Sequence, residues 1–104
     1  MGTIIRAWRG WAPLTNADAY VRHFTTNVLP ELRTIDGFLG ASLSRQERSA
    51  DIEYLVLTRW ASMDAIRAFA GADVAKAVVE PEAVAALTSF DRTVQHYEVV
   101  AEGS

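Results

Sequence analysis

The first third of the chain alternates as a strand does and then changes to helical spacing. Residues 3–11 alternate polar and apolar side chains around two isoleucines, which predicts a strand that ends at a break over residues 12–15. Apolar side chains then recur every three or four positions over residues 17–35, which predicts a helix kinked or split just before Pro30. Gly37 is expected to supply the left-handed turn that ends this helix.

The middle of the chain predicts a β-hairpin. Residues 38–46 are strand-like, and Gly40 within them indicates a bulge or a close backbone approach. The polar residues 47–51 connect this segment to a second strand over residues 52–60. Both faces of that strand are largely apolar, so we expect it to be covered on both sides. One face carries Tyr54, Val56, Thr58 and Trp60, and the other carries Glu53, Leu55, Leu57 and Arg59.

The last third predicts helical pieces followed by a final strand. Ser62 is expected to cap a helix that ends or bends at Gly71. A further helical piece is expected over residues 73–79, and another from Pro81 to about residue 88. Residues 92–100 alternate again and predict the final strand.

The element order β-α-β-β-α-β is typical of an α+β, ferredoxin-like domain, a four-stranded antiparallel sheet with helices on one face. One domain is expected over residues 1–104, and residues 101–104 form a short polar tail. The sheet face with Leu55 and Leu57 is too apolar to face water, and the chain has no further element to cover it. We therefore predict a homodimer that packs sheet on sheet.

Composition limits the functions that this domain can have. The chain has 104 residues, half of them hydrophobic, and a net charge of −3, so one folded domain is expected and nucleic acid is a poor match as partner. The absence of cysteine excludes disulfides, thiol nucleophiles and cysteine-ligated metals. Two histidines, His23 and His96, are too few for a multi-histidine metal site, so no metal is expected. No apolar run is long enough to span a membrane, and the expected location is the cytoplasm.

Three short motifs resemble a known family. They are IDGFLG at residues 35–40, YLVLTRW at residues 54–60 and SMDAIRAF at residues 62–69. With the surrounding chain, from about Ile4 to Val99, they resemble the antibiotic biosynthesis monooxygenase family. The resemblance implies a dimeric α+β barrel.

The same resemblance implies several kinds of chemistry. Members of the family oxygenate polycyclic phenols with molecular oxygen and without metal or flavin, oxidise quinols, or bind and degrade haem. Haem-degrading members carry an asparagine on the first strand and an axial histidine on a later helix. This chain has Arg6, Ala7 and Trp8 on its first strand and no histidine near Lys76. Haem degradation is therefore disfavoured and no cofactor is expected, whereas Trp60 matches the tryptophan of the phenol-oxygenating members.

Three residues are candidates for catalysis. His23 lies on or beside the helix face expected to meet the sheet, and an imidazole that titrates near neutral pH can accept a phenolic proton. Asn27 lies one turn further along and can orient His23 or bind a substrate oxygen. Trp60 ends the third strand and can stack on a planar substrate. Each also has a purely structural interpretation: a half-buried helix histidine, a partner for carbonyls freed by Pro30, and core packing.

Four further residues are candidates for substrate binding. Tyr54 and Phe69 are expected to lie near the strand-ending tryptophan, although ordinary core packing also explains both. Arg45 ends the second strand and can stabilise an oxyanion. Tyr97 can position a polar group of the substrate. Strand alternation places Tyr97 and His96 on opposite faces of the last strand and leaves open which of them faces the helices.

Other charged residues have simpler interpretations. Arg6 shares a strand face with Trp8 and can also stabilise an oxyanion, although a solvated or interface arginine is the simpler interpretation. Glu80 and Glu82 flank Pro81 and resemble an acidic pair in the first turn of a helix more than a catalytic dyad. The sequence has no metal-ligand spacing, phosphate-binding loop or Ser-His-Asp order.

The residues and the resemblance together favour a cofactor-independent monooxygenase that acts on a small aromatic, phenolic or quinol substrate with molecular oxygen. Such chemistry needs a dry aromatic pocket, a base for the phenolic proton, and donors that stabilise developing negative charge. Two alternatives need the same pocket. One is a non-catalytic module that binds a small hydrophobic ligand, and the other is an isomerase or lyase that uses His23 as a proton shuttle.

Overall fold

A central strand organises an antiparallel sheet. The computed structural model describes residues 2–104, and in it β1 pairs with β3 on one edge and with both β4 and β5 on the other. β2 pairs with β3 and completes the order β2-β3-β1-β4/β5. The predicted α+β, ferredoxin-like fold is confirmed. The strands are Ile4–Pro13 (β1), Phe38–Glu47 (β2), Asp51–Trp60 (β3), Ser89–Phe90 (β4) and Gln95–Glu98 (β5).

The helices all pack on one face of this sheet. A short 3₁₀ turn over Leu14–Asn16 follows β1 and leads into the first helix. Ser62 caps the third helix as predicted, since its Oγ accepts the Ala65 N–H at 3.1 Å. Among residues 2–104, no helix has the length and apolarity that crossing a membrane requires. The helices are Ala17–His23 (α1), Leu29–Leu32 (α2), Met63–Ala70 (α3) and Pro81–Ala86 (α4), with a π-helix over Phe24–Val28 between α1 and α2.

The π-helix is the form that the predicted kink before Pro30 takes. Pro30 has no N–H to donate, and its ring crowds the carbonyl four residues back, at Thr26. The helix widens instead of breaking: the Leu29 N–H bonds to the Phe24 carbonyl, five residues back. The wider turn directly follows His23, the last residue of α1.

The prediction of a helical piece over residues 73–79 is wrong. Residues 71–80, called here the covering segment, are extended or irregular, and Lys76 forms a β-bridge with Thr93. The physical reason is Arg6 on β1, which donates to the carbonyls of Val74 and Lys76 at 2.6 and 3.0 Å. Those carbonyls are therefore not available to a helix.

Three predicted boundaries also need correction. β1 continues through the expected break and ends at Pro13, which pairs with Asp51. α4 ends at Ala86, before residue 88, because Thr88 donates its N–H to Trp11 of β1 at 2.8 Å. The final strand expected over residues 92–100 is present but shorter, as β5. The two-residue β4 precedes it on the same edge of β1, and the stretch between them meets the covering segment.

The alternation predicted for β3 is confirmed. Tyr54, Val56, Thr58 and Trp60 are buried beneath the helices, whereas Leu55 and Leu57 on the other face are only half-buried. That second face, called here the open face, is not covered by any element in residues 2–104. It carries Ile5, Ala7, Trp11, Leu55, Leu57 and Tyr97.

Two glycines have the conformations that their positions predict. Gly37 turns from α2 into β2 with a φ of 91°, and its carbonyl accepts the Ala61 N–H at 2.8 Å. Gly40 lies where the β2–β3 register shifts by one residue, which confirms the predicted bulge. The turn at Gly37 brings the backbone against α3.

Replacing Gly37 with alanine is expected to destabilise the fold more than replacing Gly71. Both glycines have a positive φ, 91° and 87°, so alanine is strained at either position. A Cβ at Gly37 would also lie 2.6 Å from the Ala65 Cβ, whereas a Cβ at Gly71 meets no atom within 4 Å. We expect Gly71→Ala to cost about 1 kcal/mol and Gly37→Ala about 1–3 kcal/mol more, measured by urea unfolding. Equal losses would contradict close packing of this turn on α3.

Candidate active site

A mostly apolar pocket lies between the helix-covered face of the sheet and α1. Its volume is about 70 Å³, and the covering segment and α4 close its outer side. Aromatic and aliphatic side chains from β1, β3 and the helices form its walls, among them Trp8, Phe24 and Phe69. Its polar lining residues are Arg6, Tyr20, His23, Glu31, Thr58 and Glu80.

His23 lies at the boundary of this pocket. It is 5% exposed, and its ring lines both the pocket and an outer cleft that contains Asn27 and Glu82. The Asn27 side-chain nitrogen lies 3.0 Å from Nδ1 of His23, as the spacing of four residues allows. Nε2 has no hydrogen-bond partner among residues 2–104. The imidazole is therefore fixed at one nitrogen and free at the other.

The orientation of the Asn27 amide is coupled to the tautomer of His23. An amide that presents its NH₂ group to Nδ1 leaves the ring proton on Nε2, whereas an amide that presents its oxygen accepts a proton from Nδ1. Because one amide offers both groups, Asn27 supports either neutral form of His23. The form protonated on Nδ1 leaves Nε2 as a free proton acceptor.

Tyr20 contributes a neutral hydroxyl to the pocket. It lies one turn before His23 on α1, with the two rings 6.0 Å apart, and it is almost fully buried. Burial raises the pKa of Tyr20, and the nearby Glu80 and Tyr54 raise it further. At neutral pH the hydroxyl therefore keeps its proton and can donate a hydrogen bond.

Arg6 connects the sheet to the covering segment. Its guanidinium donates to the carbonyls of Val74 and Lys76, lies 3.0 Å from Nε2 of His96, and sits 5.7 Å from the centre of the Phe69 ring. Burial lowers the pKa of Arg6 to about 10, so the group is still cationic at neutral pH. It places one positive charge in the wall of a pocket that Glu31 and Glu80 also line.

Trp60 lies behind the pocket wall. It has no exposed surface, and its indole N–H donates to Thr58 Oγ1 at 2.8 Å. Its ring stacks on Phe69, with the ring centres 5.6 Å apart, and Phe69 itself lines the pocket. Trp60 therefore supports Phe69 and presents no surface of its own to the pocket.

Tyr54 and Arg45 form a separate cluster at the start of α1. Tyr54 is fully buried, and its hydroxyl donates to the carbonyl of Ala17. The exposed Arg45 lies 3.5 Å from that hydroxyl and pairs with Asp18 at 3.3 Å, and its hydrogen bonds to Tyr54 and Asp18 raise its pKa. Neither residue lines the pocket with His23.

The sheet register shows which face each residue of β5 occupies. His96 lies opposite Arg6 and faces the helices, whereas Tyr97 lies opposite Ile5 on the open face and is 57% exposed. Tyr97 is thus separated from the pocket by the sheet itself.

The predicted site residues are only partly brought together. His23 and Phe69 line the pocket, and Asn27 contacts His23 from the outer cleft. Sequence reasoning missed Tyr20, although its position three residues before His23 signals a shared helix face. It also missed Glu80, which reaches the pocket from a distant part of the chain and leaves no local signal.

One group of residues in the described part of the chain has the geometry to hold a metal ion. His23, Glu80 and Glu82 offer ligand atoms that all lie within 4.8 Å of one another. The acidic pair expected around Pro81 is therefore present at the start of α4, where Glu80 precedes the helix and Glu82 lies in its first turn. Both carboxylates also lie close to the His23 imidazole.

Comparison with known proteins relates this geometry to one family and one fold. A model of the family described as antibiotic biosynthesis monooxygenase matches residues 6–81. A protein from Bacillus cereus described as an antibiotic biosynthesis monooxygenase has a similar structure, with a TM-score of 0.70 and 19% identity over 100% of this chain and 99% of that one. No curated protein matches the sequence significantly.

Two further solved structures share the fold at similar distance. SnoaB, a cofactor-independent oxygenase from Streptomyces nogalater, has a TM-score of 0.62 and 16% identity over 100% of this chain and 97% of that one. The haem degrader MhuD from Mycobacterium tuberculosis has a TM-score of 0.62 and 21% identity over 97% and 99% of the two chains. At these identities the likeness is one of fold alone.

Acidification is expected to destabilise the protein through His96. Burial, and then the charge of Arg6, lower the pKa of His96 below its ordinary value of about 6.5. Below that pH the unfolded chain takes up the proton first, so stability falls with pH until the folded state is protonated too. The free energy of unfolding, measured with urea at about pH 7.5 and about pH 5.5, should fall more between these two pH values for the wild type than for His96→Gln. Equal losses would contradict the contact between His96 and Arg6.

Proposed function

Because this chain belongs to the antibiotic biosynthesis monooxygenase family, as the match over residues 6–81 shows, we propose that it oxygenates a small phenolic or quinol substrate with molecular oxygen and without a cofactor. The observation that carries the proposal is the pocket itself. His23, Tyr20 and Arg6 all line one mostly apolar cavity. Those are the base, the donor and the positive charge that such a reaction needs.

The first step is removal of the phenolic proton. The Asn27 side-chain nitrogen lies at Nδ1 of His23, and turning the amide over brings its oxygen to this position as the acceptor of an Nδ1–H proton. In that tautomer His23 accepts the phenolic proton on Nε2. A carboxylate oxygen of the half-buried Glu80 lies within 4.8 Å of a ring nitrogen of His23, and its negative charge stabilises the imidazolium that forms. The product of the step is an electron-rich phenolate in the pocket.

The phenolate itself reduces oxygen. A ring carbon para to the phenolate oxygen forms a bond to one oxygen atom of O₂, and the peroxide formed takes up the proton held by the His23 imidazolium. The hydroperoxide then loses water, which takes the hydrogen of that ring carbon with it, and leaves a quinone. Both electron pairs come from the substrate: one oxygen atom stays in the product and the other leaves as water. The protein has to stabilise negative charge during this step, and Tyr20 can donate to it while Arg6 supplies a fixed positive field.

The apolar walls have their own part in this proposal. Trp8, Phe24 and Phe69 exclude water, which strengthens the electrostatic effects inside the pocket and protects reactive intermediates. The covering segment lines the pocket through Val78, Val79 and Glu80, so an outward motion of this segment would widen access for a substrate. Arg6 donates hydrogen bonds to two carbonyls of that segment, so such a motion would have to break them.

The open face supports a homodimer as part of the same proposal. Leu55 and Leu57 are half-buried, Tyr97 is largely exposed, and no described element covers them. A second copy that packs its open face on this one would remove these side chains from water and leave both pockets, on the opposite faces, free for substrate.

Replacing His23 with alanine is expected to lower oxygen uptake by roughly 10²–10⁴-fold, because the base for the phenolic proton is lost. The measurement is oxygen consumption by metal-stripped protein with a panel of phenols, anthrones and hydroquinones. Tyr97→Phe is the matched control: it removes one hydroxyl on the far side of the sheet and should leave the rate unchanged. Circular dichroism should show that both variants keep the fold.

Other outcomes point to other functions of the same pocket. Unchanged uptake in His23→Ala would remove this residue from the mechanism. Product formation that persists without oxygen would favour an isomerase or lyase. Binding of the same compounds without turnover would favour a ligand-binding module. Quenching of the fluorescence of Trp8, which lines the pocket, would detect such binding.

Replacing Leu57 with glutamate is expected to dissociate the homodimer. An unpaired carboxylate buried between the two sheets costs several kcal/mol, so the dissociation constant should rise by roughly 100-fold or more. Val84→Glu is the matched control, because Val84 is 50% exposed on α4 and lies away from the open face. Sedimentation equilibrium distinguishes the two variants. A wild-type chain that sediments as a monomer at micromolar concentration would contradict the dimer.

A further inference from the structure

Three potential metal ligands meet where the pocket and the outer cleft adjoin. The ligand atoms of His23, Glu80 and Glu82 lie within 4.8 Å of one another. A tetrahedral ion with bonds of about 2.1 Å needs ligand atoms about 3.4 Å apart. Glu80 is half-buried and Glu82 is exposed, so modest rotations of these two side chains bring all three groups into range.

The imidazole already has the environment of a metal ligand. His23 is 95% buried, since only 5% of it is exposed, and its Nδ1 is occupied by Asn27 at 3.0 Å. Its Nε2 has no hydrogen-bond partner among residues 2–104, and because His23 lines both the pocket and the outer cleft, this nitrogen can be reached by a ligand. Ligating histidines typically bind the metal through one nitrogen and donate from the other to an oxygen, which the Asn27 amide can supply.

The two carboxylates have no cation to balance them. The ion pairs formed within residues 2–104 involve other acidic residues and leave out both Glu80 and Glu82. The charge of Glu80 is felt inside the pocket, where it contributes to the raised pKa of Tyr20. A divalent cation would neutralise this pair and satisfy the imidazole at once.

The ligand types indicate which cations fit. One imidazole with two carboxylates suits divalent transition metals such as Zn²⁺, Co²⁺ or Mn²⁺, whereas Mg²⁺ and Ca²⁺ prefer oxygen ligands alone. We propose that His23, Glu80 and Glu82 bind one divalent transition-metal ion, which enters from the outer cleft. Glu82 and His23 both line that cleft, so the ion reaches the site without passing through the pocket.

The bound ion changes what His23 can do. An imidazole nitrogen that ligates a metal has no lone pair left to accept a proton. Metal binding and proton acceptance at Nε2 are therefore mutually exclusive, and the ion is an inhibitor of any acid–base chemistry at this residue. The site itself depends only on the three side chains and does not rest on the proposed oxygenation.

Cobalt and zinc titrations of the full chain test the site. After treatment with a chelator and its removal, Co²⁺ should produce a visible absorption band that saturates at one ion per chain, and Zn²⁺ should displace it. Calorimetry with Zn²⁺ should show affinity lowered by at least about tenfold in Glu80→Gln and in Glu82→Gln. Glu82 is exposed, so its substitution is expected to leave the fold unchanged.

Two matched controls identify the ligands. Glu31→Gln removes a pocket carboxylate outside the cluster, and His96→Gln removes the other histidine; both should bind Zn²⁺ like the wild type. Equal affinity in the wild type, Glu80→Gln and Glu82→Gln would overturn the proposal, as would the absence of saturable binding. Loss of affinity in His96→Gln alone would assign the ion to a different place.

Discussion

The buried guanidinium of Arg6 is the interaction on which the second half of the structure depends. Its two bonds to carbonyls of the covering segment tie residues 68 and 70 positions away to the central strand. A buried cation with unsatisfied donors would be costly, so the segment must supply oxygen atoms at this point. The same bonds hold the covering segment beside the pocket, where its backbone pairs with residues 92–94 between β4 and β5. One side chain thus shapes the fold and the site together.

The limits of sequence reasoning follow from that interaction. Local patterns were sufficient where the determining contacts are local: the alternation of β3, the cap at Ser62, the turn at Gly37 and the bulge at Gly40. They failed over residues 73–79, because apolar spacing there resembles a helix while long-range hydrogen bonds to Arg6 and to residues 92–94 determine the backbone. Helical propensity is a weak preference that tertiary contacts readily override.

The residues of the candidate site also differ in whether local spacing predicts their position. His23 and Asn27 are four residues apart on one helical segment, so their contact follows from spacing alone, and Tyr20 is related to them by the same rule. Alternation assigns a strand residue to a face but does not give its distance from a pocket. Tyr54 and Arg45 lie on the sheet face that carries the pocket, but near the start of α1 and away from the pocket. Trp60 is fully buried behind Phe69 and does not reach the pocket. Glu80 comes from an irregular segment whose path no local pattern determines.

Two uses of His23 compete for the same nitrogen. A general base needs Nε2 unprotonated and empty, and a metal site needs it unprotonated and filled; both need the Asn27 amide to present its oxygen to Nδ1–H. In the proposed oxygenation Asn27 holds the reactive tautomer of His23, and in the proposed metal site Glu82 helps to hold the ion. Glu80 serves either state, since a carboxylate near the ring stabilises an imidazolium as well as a cation. On the two proposals together, an ion that enters from the outer cleft and binds Nε2 of His23 removes the base from the pocket, and its release restores the base.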